Sequence, residues 1–315
     1  MRLERTARAK INLGLAVTGR RQDGYHELES VFVRVGLADR LVMTMPQPAM
    51  VDDVLVIAGH PDLPVEGNLV LAATRALRDS AGPAGRSLSG LAIALEKRIP
   101  VAAGMAGGSS DAAAALALAG QAWQLDVAVA EVHRIALGLG ADVPFFVADL
   151  DAALVSGVGA SVEPLPAIKG GVGFLLMTPL QRLSTANVFS AYDGLPRSGQ
   201  GARGAVARLA DAMRCGLDGE GLIGHAADLA EANDLWPAAS VVDPGLPELR
   251  ARLAALLGRP ILLTGSGPTL VALYPSVAAA LEAGREVAHE QSDQVSIASM
   301  AAVDQVATLA SWRFS

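Results

Sequence analysis

The 315-residue chain has a single cysteine, Cys215, which excludes an internal disulfide and any metal site built from several thiolates. A reducing, cytoplasmic setting is the expectation. Aromatic residues are scarce at 4%, and 25 Lys and Arg stand against 32 Asp and Glu, for a formal charge of −7. Nucleic-acid binding rests on many cation–phosphate contacts, so a general polyanion surface is excluded. An anionic ligand must be met locally, by backbone amides or a few placed cations. No apolar run approaches ~20 residues, and the start, MRLERTARAKINLGLAV, carries charge throughout, so neither membrane spanning nor export is expected.

What the chain has is 51% hydrophobic content, ample for one large or two ordinary domains. Alternation in KINLGLAVTG predicts a half-buried strand, GRRQDGYHELES a polar loop and VFVRVGL a second strand. NLVLAATRALRDSAG has helical spacing with a glycine after its last turn, GLAIALEKRI reads as a strand, and VAVAEVHRIALGLG as a helix ending at Gly138 and Gly140. Beyond residue 151, AALVSGVGASVEPLP predicts a hairpin, GVGFLLMTP a buried strand, STANVFSAYDGL a capped short helix and RSGQGARG a mobile loop. Two helices, the strand–turn–strand unit RPILLTGSGPTLVALYP and a last helix, SVAAALEAGREVAHE, complete the pattern. The mixture predicts an α+β protein of two domains, 1–150 and 151–315.

The segment IPVAAGMAGGSSDAAAALALAG, residues 99 to 120, sets glycines and two serines directly before strong helix formers. Glycine lets backbone approach a ligand closely, and a helix start offers unpaired N–H groups and the positive end of a dipole, so the segment reads as a phosphate cradle. It is neither a P-loop, which needs a lysine after Gly108, nor a G-x-G-x-x-G fingerprint. A tight strand-to-helix turn is the competing reading. Lys10 and Asn12 sit on one apolar strand and, taken alone, fit a solvated edge. Asp142, between a glycine turn and Pro-Phe-Phe, is either a turn former or a partly buried acid that needs a cation, for which Lys10 is a candidate. Tyr25 and His26 follow an Asp-Gly turn in the most polar loop, where an aromatic can stack on a flat ligand or fold back onto the core.

Taken together, AKINLGLAVTGRRQDGYHELESVF, GNLV, IPVAAGMAGGSSDAAAAL, LGADVPFF, STANVF and TGSGPTLVAL resemble the GHMP kinases, the family of galactokinase and the homoserine, mevalonate and phosphomevalonate kinases. The glycine loop and the TGSG turn are general to the superfamily. GRRQDGYHEL and GADVPFF are similar to the branch that phosphorylates a cytidine diphosphate-linked methylerythritol in non-mevalonate isoprenoid synthesis. Two departures stand out: Ala102, Met105 and Ala106 replace Gly, Leu and Gly in the loop, and Arg8 stands where the family commonly has Pro.

The resemblance implies a two-domain fold with an N-terminal domain like the second domain of ribosomal protein S5, a C-terminal α/β domain and an active site in the cleft between them. It implies transfer of the γ-phosphoryl of ATP to the 2-hydroxyl of the erythritol unit, with Mg²⁺ bridging the phosphates and no protein ligand assigned to the metal. Asp142 would accept the hydroxyl proton, and Lys10 would hold the hydroxyl and the developing charge. Gly104, Met105, Ala106, Gly107, Gly108, Ser109 and Ser110 would wrap the phosphates, with Asn68 and Lys97 near the base and ribose. Tyr25 and Phe189 would sandwich the cytosine, His26 and Asn12 would hydrogen-bond the cytidine or polyol, and Gly265, Ser266 and Gly267 would support the phosphate loop or substrate. The implied partner is a small molecule, with no nucleic acid or membrane, on a monomer or homodimer. The competing readings are another small-molecule kinase of the family, homoserine or mevalonate type, and a non-catalytic nucleotide-binding protein.

Overall fold

A long antiparallel hairpin, β1 (Arg2–Arg20) with β2 (His26–Thr44), organises the amino-terminal part of the computed structural model, which describes residues 1–46, 49–60, 62–196, 201–290 and 297–304. Both strands extend well past the sequence expectation, and the polar loop shrinks to residues 21–25. Cross-strand pairing explains the extension: Arg2 to Arg8 lie opposite Thr44 to Ala38, and Arg40 grips Glu4 through both carboxylate oxygens at 2.6 Å. Arg2 and Glu4 are the solvated face of a ladder.

After β3 (Val54–Ala58), α1 (Leu69–Ser80), β4 (Ala92–Glu96), α2 (Gly107–Trp123), α3 (Val129–Leu139) and α4 (Val143–Val147) come β5 (Ala152–Gly157) and β6 (Ser161–Pro164). The first sheet runs on past residue 150, with order β3-β4-β2-β5-β6 and β1 on the other side of β2. Next come β7 (Gly173–Pro179), α5 (Thr185–Asp193), α6 (Gly201–Arg214), α7 (Gly219–Gly224), α8 (Ala226–Ala230), α9 (Trp236–Val242), α10 (Leu246–Leu257), β8 (Leu262–Leu263), β9 (Leu270–Tyr274), α11 (Val277–Glu290) and β10 (Ile297–Asp304). The second sheet is antiparallel, in the order β10-β7-β9-β8.

Two sequence expectations change here. The stretch read as a mobile loop, 197–204, is helical from Gly201 onward, because Ala205, Val206, Leu209, Ala210 and Met213 recur at helical spacing and all bury; residues 197–200 lie outside the described residues. Five helices, where two were expected, separate α5 from β8.

Three apolar clusters hold these layers. One lies between the first sheet and α1 to α4; here α2 is buried from Ser110 to Ala119, as expected for a helix apolar all round. A second joins the inner faces of the two sheets through α6 and α8, and includes Ile11 and Leu13 of β1 with Phe174 and Leu176 of β7. The third covers the far face of the second sheet. Strand alternation then decides the cleft: with Ile11 and Leu13 committed to the middle cluster, Lys10 and Asn12 point from β1's opposite face. Among the described residues, no helix is long and apolar enough to cross a membrane.

Candidate active site

Lys10 and Asn12 line a cleft of about 1070 Å³ together with Asp142, Gly104 and residues 106–109, Tyr25, His26 and Phe189. Lys10 is 4% exposed, so the solvated-edge reading does not hold for it. Its ammonium donates to Asn12 Oδ1 at 2.7 Å, lies 3.5 Å from both Asp142 Oδ2 and the Gly104 carbonyl, and sits 4.4 Å from the centroid of the Phe32 ring. Burial pushes the Lys10 pKa down, and Asp142 opposes that shift in part. An ammonium stripped of water interacts strongly with any charge that forms beside it.

Asp142 immediately precedes α4 but makes no capping bond, so its carboxylate is left for the cleft. The Pro-Phe-Phe that follows is its anchor. Phe145 is fully buried and meets Phe32 edge to face, centroids 5.4 Å apart, which ties the helix carrying Asp142 to the ring beneath Lys10.

The glycine loop starts α2 from Ala106, which has a left-handed φ of 54° and no side-chain cap. The first amides of α2 therefore have no acceptor within the helix or from a capping side chain. Gly104 explains why the loop is glycine-rich: at φ 76°, a Cβ there would lie 2.4 Å from the Thr264 carbonyl oxygen. The TGSG turn meets it in kind, since a Cβ on Gly265 would come within 2.8 Å of the Gly104 oxygen. The two glycine turns thus pack backbone against backbone. Met105 is buried in the middle cluster, and its backbone carbonyl accepts the Lys10 amide at 3.2 Å, which ties the loop to β1.

Other expected site residues are brought to the same cleft with their polar atoms already engaged. Asn12 accepts from Lys10 and donates to Ser30 Oγ at 2.8 Å, while its backbone amide donates to Thr264 Oγ1. Ser266 Oγ lies 3.0 Å from Thr185 Oγ1, fixing the turn to the start of α5. Asn68 caps α1 by accepting from the Val70 amide. Lys97 is buried between Asp39 and Asp111. Of the loop serines, Ser109 lines the cleft and Ser110 is buried in α2.

The rim differs. Tyr25 is 69% exposed at the tip of the β1–β2 turn, where its amide donates to Asp23 Oδ1. His26 stacks on Phe189 with centroids 4.8 Å apart and planes 21° from parallel, and its Nε2 donates to Asp193 at 2.8 Å. Arg20 lies 3.4 Å from the same carboxylate.

Sequence reasoning passed over Asn233 and Asp234. The Asn233 side-chain amide donates to the Leu263 and Gly265 carbonyls, and Asp234 accepts from the Val17 amide, so this pair joins the TGSG turn to β1. Its signal was slight, an Asn-Asp pair just before Leu235, Trp236 and Pro237.

Residues 68–149, which hold α1, the glycine loop and Asp142, match the family model described as GHMP kinases N terminal domain. A 4-diphosphocytidyl-2-C-methyl-D-erythritol kinase of Chelativorans sp. is 35% identical over 295 residues, 91% of this chain and 92% of that one. Another protein of that name, from Chlorobium phaeobacteroides, is 46% identical over 160 residues, about half of each chain at 50% and 53%. The crystal structure of a 4-(cytidine 5'-diphospho)-2C-methyl-D-erythritol kinase superposes with a TM-score of 0.68 at 32% identity, covering 96% of this chain and 99% of that one. The likeness thus runs through both sheets and the cleft they share, and the chain belongs to the 4-diphosphocytidyl-2-C-methyl-D-erythritol kinase family of the GHMP kinases.

Proposed function

We propose that the chain transfers the γ-phosphoryl of ATP to the 2-hydroxyl of 4-diphosphocytidyl-2-C-methyl-D-erythritol, giving ADP and the 2-phosphate in isoprenoid synthesis. The observation that carries this reading is the buried Lys10 held 3.5 Å from Asp142, in one cleft with the glycine-lined start of α2. The α2 amides and the Gly104–Ser110 backbone bind the triphosphate. Asp142 takes the proton of the acceptor hydroxyl as that oxygen bonds to the γ-phosphorus. The bond from phosphorus to the β–γ bridging oxygen breaks, and ADP leaves with its electron pair. Lys10, already oriented by Asn12, holds the acceptor oxygen and offsets the negative charge that builds there.

The donors present fit a Mg²⁺ ion held chiefly by the nucleotide. Among the described residues no three His, Cys, Asp or Glu side chains converge, and Mg²⁺ is commonly bound through phosphates and water with few protein groups. Ser109 lines the cleft at the start of α2 and its hydroxyl would be within the phosphate site, where such an ion, when bound, would neutralise phosphate charge. At the rim, Tyr25 and Phe189 supply flat faces for the cytosine, which serves as a handle away from the bond that changes.

The test is ADP release with a panel of 4-diphosphocytidyl-methylerythritol, homoserine, mevalonate and galactose. Turnover with the first alone is the expected result. Turnover with any of the others in its place overturns the acceptor assignment, and nucleotide binding without turnover on any of them overturns the enzyme reading.

A further inference from the structure

The segment joining β4 to α2 is tied at both ends to one buried ion cluster. On the entry side, Asp39 of β2 is 0% exposed; one oxygen accepts from the Arg98 and Ile99 amides and the other from the Lys97 ammonium. The Lys97 backbone amide is itself pinned to the Ala58 carbonyl of β3 at 2.8 Å. On the exit side, the same ammonium donates to Asp111 Oδ2 of α2 at 2.8 Å, and a Cβ on Gly107 would come within 3.2 Å of the Lys97 nitrogen. The three side chains are each at most 4% exposed.

Lys97 and Asp111 both line the cleft; we propose that Lys97 is a positioning residue whose ammonium bridges Asp39 and Asp111 to fix the spacing of the two ends of the glycine loop, and that this ammonium does not contact the nucleotide. This proposal rests on the nucleotide reading above and concerns how the loop is held. Two of the ammonium's three N–H donors are spent on the carboxylates, which also balance its charge, and breaking either bridge would cost the desolvated charge a partner. The charges agree: one cation faces two anions, and the surplus falls on Asp111, whose carboxyl is pushed up to about 7 by burial and by Asp39, with Lys97 opposing. Its Oδ1 is buried with no hydrogen-bond partner, so burial is not offset on that side. At Lys97 burial lowers the pKa, and the two carboxylates outweigh it, leaving the net shift upward.

A double-mutant cycle separates the possibilities. ADP affinity in the presence of Mg²⁺ is measured by calorimetry, and melting temperature by scanning, for the wild type, Lys97→Met, Asp111→Leu and the double variant. Bridging predicts that each single change weakens ADP about tenfold, that the double is no weaker than either single, and that kcat at saturating ATP and the acceptor KM stay within about threefold of wild type. A direct contact predicts that Asp111→Leu binds ADP as well as wild type or better, since it frees the ammonium; that result overturns the proposal. Lower melting temperatures with unchanged ADP affinity overturn it as well, by making the cluster purely structural. Should Lys97→Met fail to fold, Asp111→Leu and the double variant, which replaces a buried pair by apolar groups, still decide it. Loss of ADP binding by the wild type itself would count against the nucleotide reading, and normal wild-type binding unaltered in Asp111→Leu against the bridge alone.

Discussion

Around Lys10 each polar side chain has an internal partner: Asn12 bonds Lys10 and Ser30, Ser30 bonds the Gly14 carbonyl at 2.6 Å, and Thr264 takes the Asn12 amide. Fifteen residues along the same hairpin from Lys10, Tyr25 is exposed and His26 rests on Phe189, a contact between two elements far apart in sequence. The inner wall arrives at the reaction already arranged, so little reorganisation is needed when charge moves there. The rim offers flat surfaces that a ligand can complete. One hairpin thus carries chemistry at its middle and recognition at its tip, and substitutions at the two places should separate cleanly into effects on kcat and effects on KM.

The largest effect belongs to the inner wall, at the carboxylate that faces Lys10. Asp142→Asn keeps the shape of the side chain and removes the proton acceptor, so kcat should fall by about 10² to 10⁴ while ADP affinity stays near wild type. Near-normal turnover would remove Asp142 from the role of base and blur the contrast with the rim. Next comes the tip: aromatic stacking is worth ~1–3 kcal/mol per base, so Tyr25→Ala should raise the acceptor KM by roughly 5- to 150-fold and leave kcat within a few-fold. A KM that barely moves would mean the base binds elsewhere.

Smaller effects test the loop between these regions. Asp111 holds its proton up to about pH 7 in the folded state against an ordinary 3.8, so its stabilising contribution is complete below 3.8 and is lost as pH rises through 7. Asp111→Leu lacks that loss, and its melting temperature should gain on wild type by on the order of 3 °C between pH 5 and pH 8. A constant difference across that range would show that the carboxyl does not titrate there. Smallest is Ala106→Gly. Ala106 holds a left-handed φ of 54°, which costs about 1–2 kcal/mol for a residue with a Cβ, and glycine's added freedom in the unfolded chain takes back part of the gain. A rise of about 1–2 °C in melting temperature is expected, and a fall would mean that the methyl group packs better than its backbone is strained.

Much of the inner wall was legible because its signals are local. Period-2 alternation places Lys10 and Asn12 on one face, and a glycine run before alanines marks a helix start. What these residues touch was not legible, because Asp142 and Thr264 reach them from distant segments. Lys97 shows the limit most clearly: in the sequence it is a lone lysine at a strand end, and its two carboxylate partners lie 58 positions before it and 14 after it. The strand residues 2–8 were missed because Arg2, Glu4, Arg5 and Arg8 leave no regular apolar alternation to read until β2 supplies the opposite half of each pair. The start of α6 was hidden by the glycines at 199, 201 and 204, which outweighed a regular apolar spacing that begins within the same stretch.

The most direct measurement is a crystal structure with a non-hydrolysable ATP analogue and 4-diphosphocytidyl-methylerythritol bound together. The acceptor's 2-hydroxyl oxygen should lie about 2.6–3.2 Å from an Asp142 carboxylate oxygen and in line with the terminal phosphorus, with the phosphates against residues 104–110. A terminal phosphate seated away from that loop, or a 2-hydroxyl out of reach of both Asp142 and Lys10, would contradict the account.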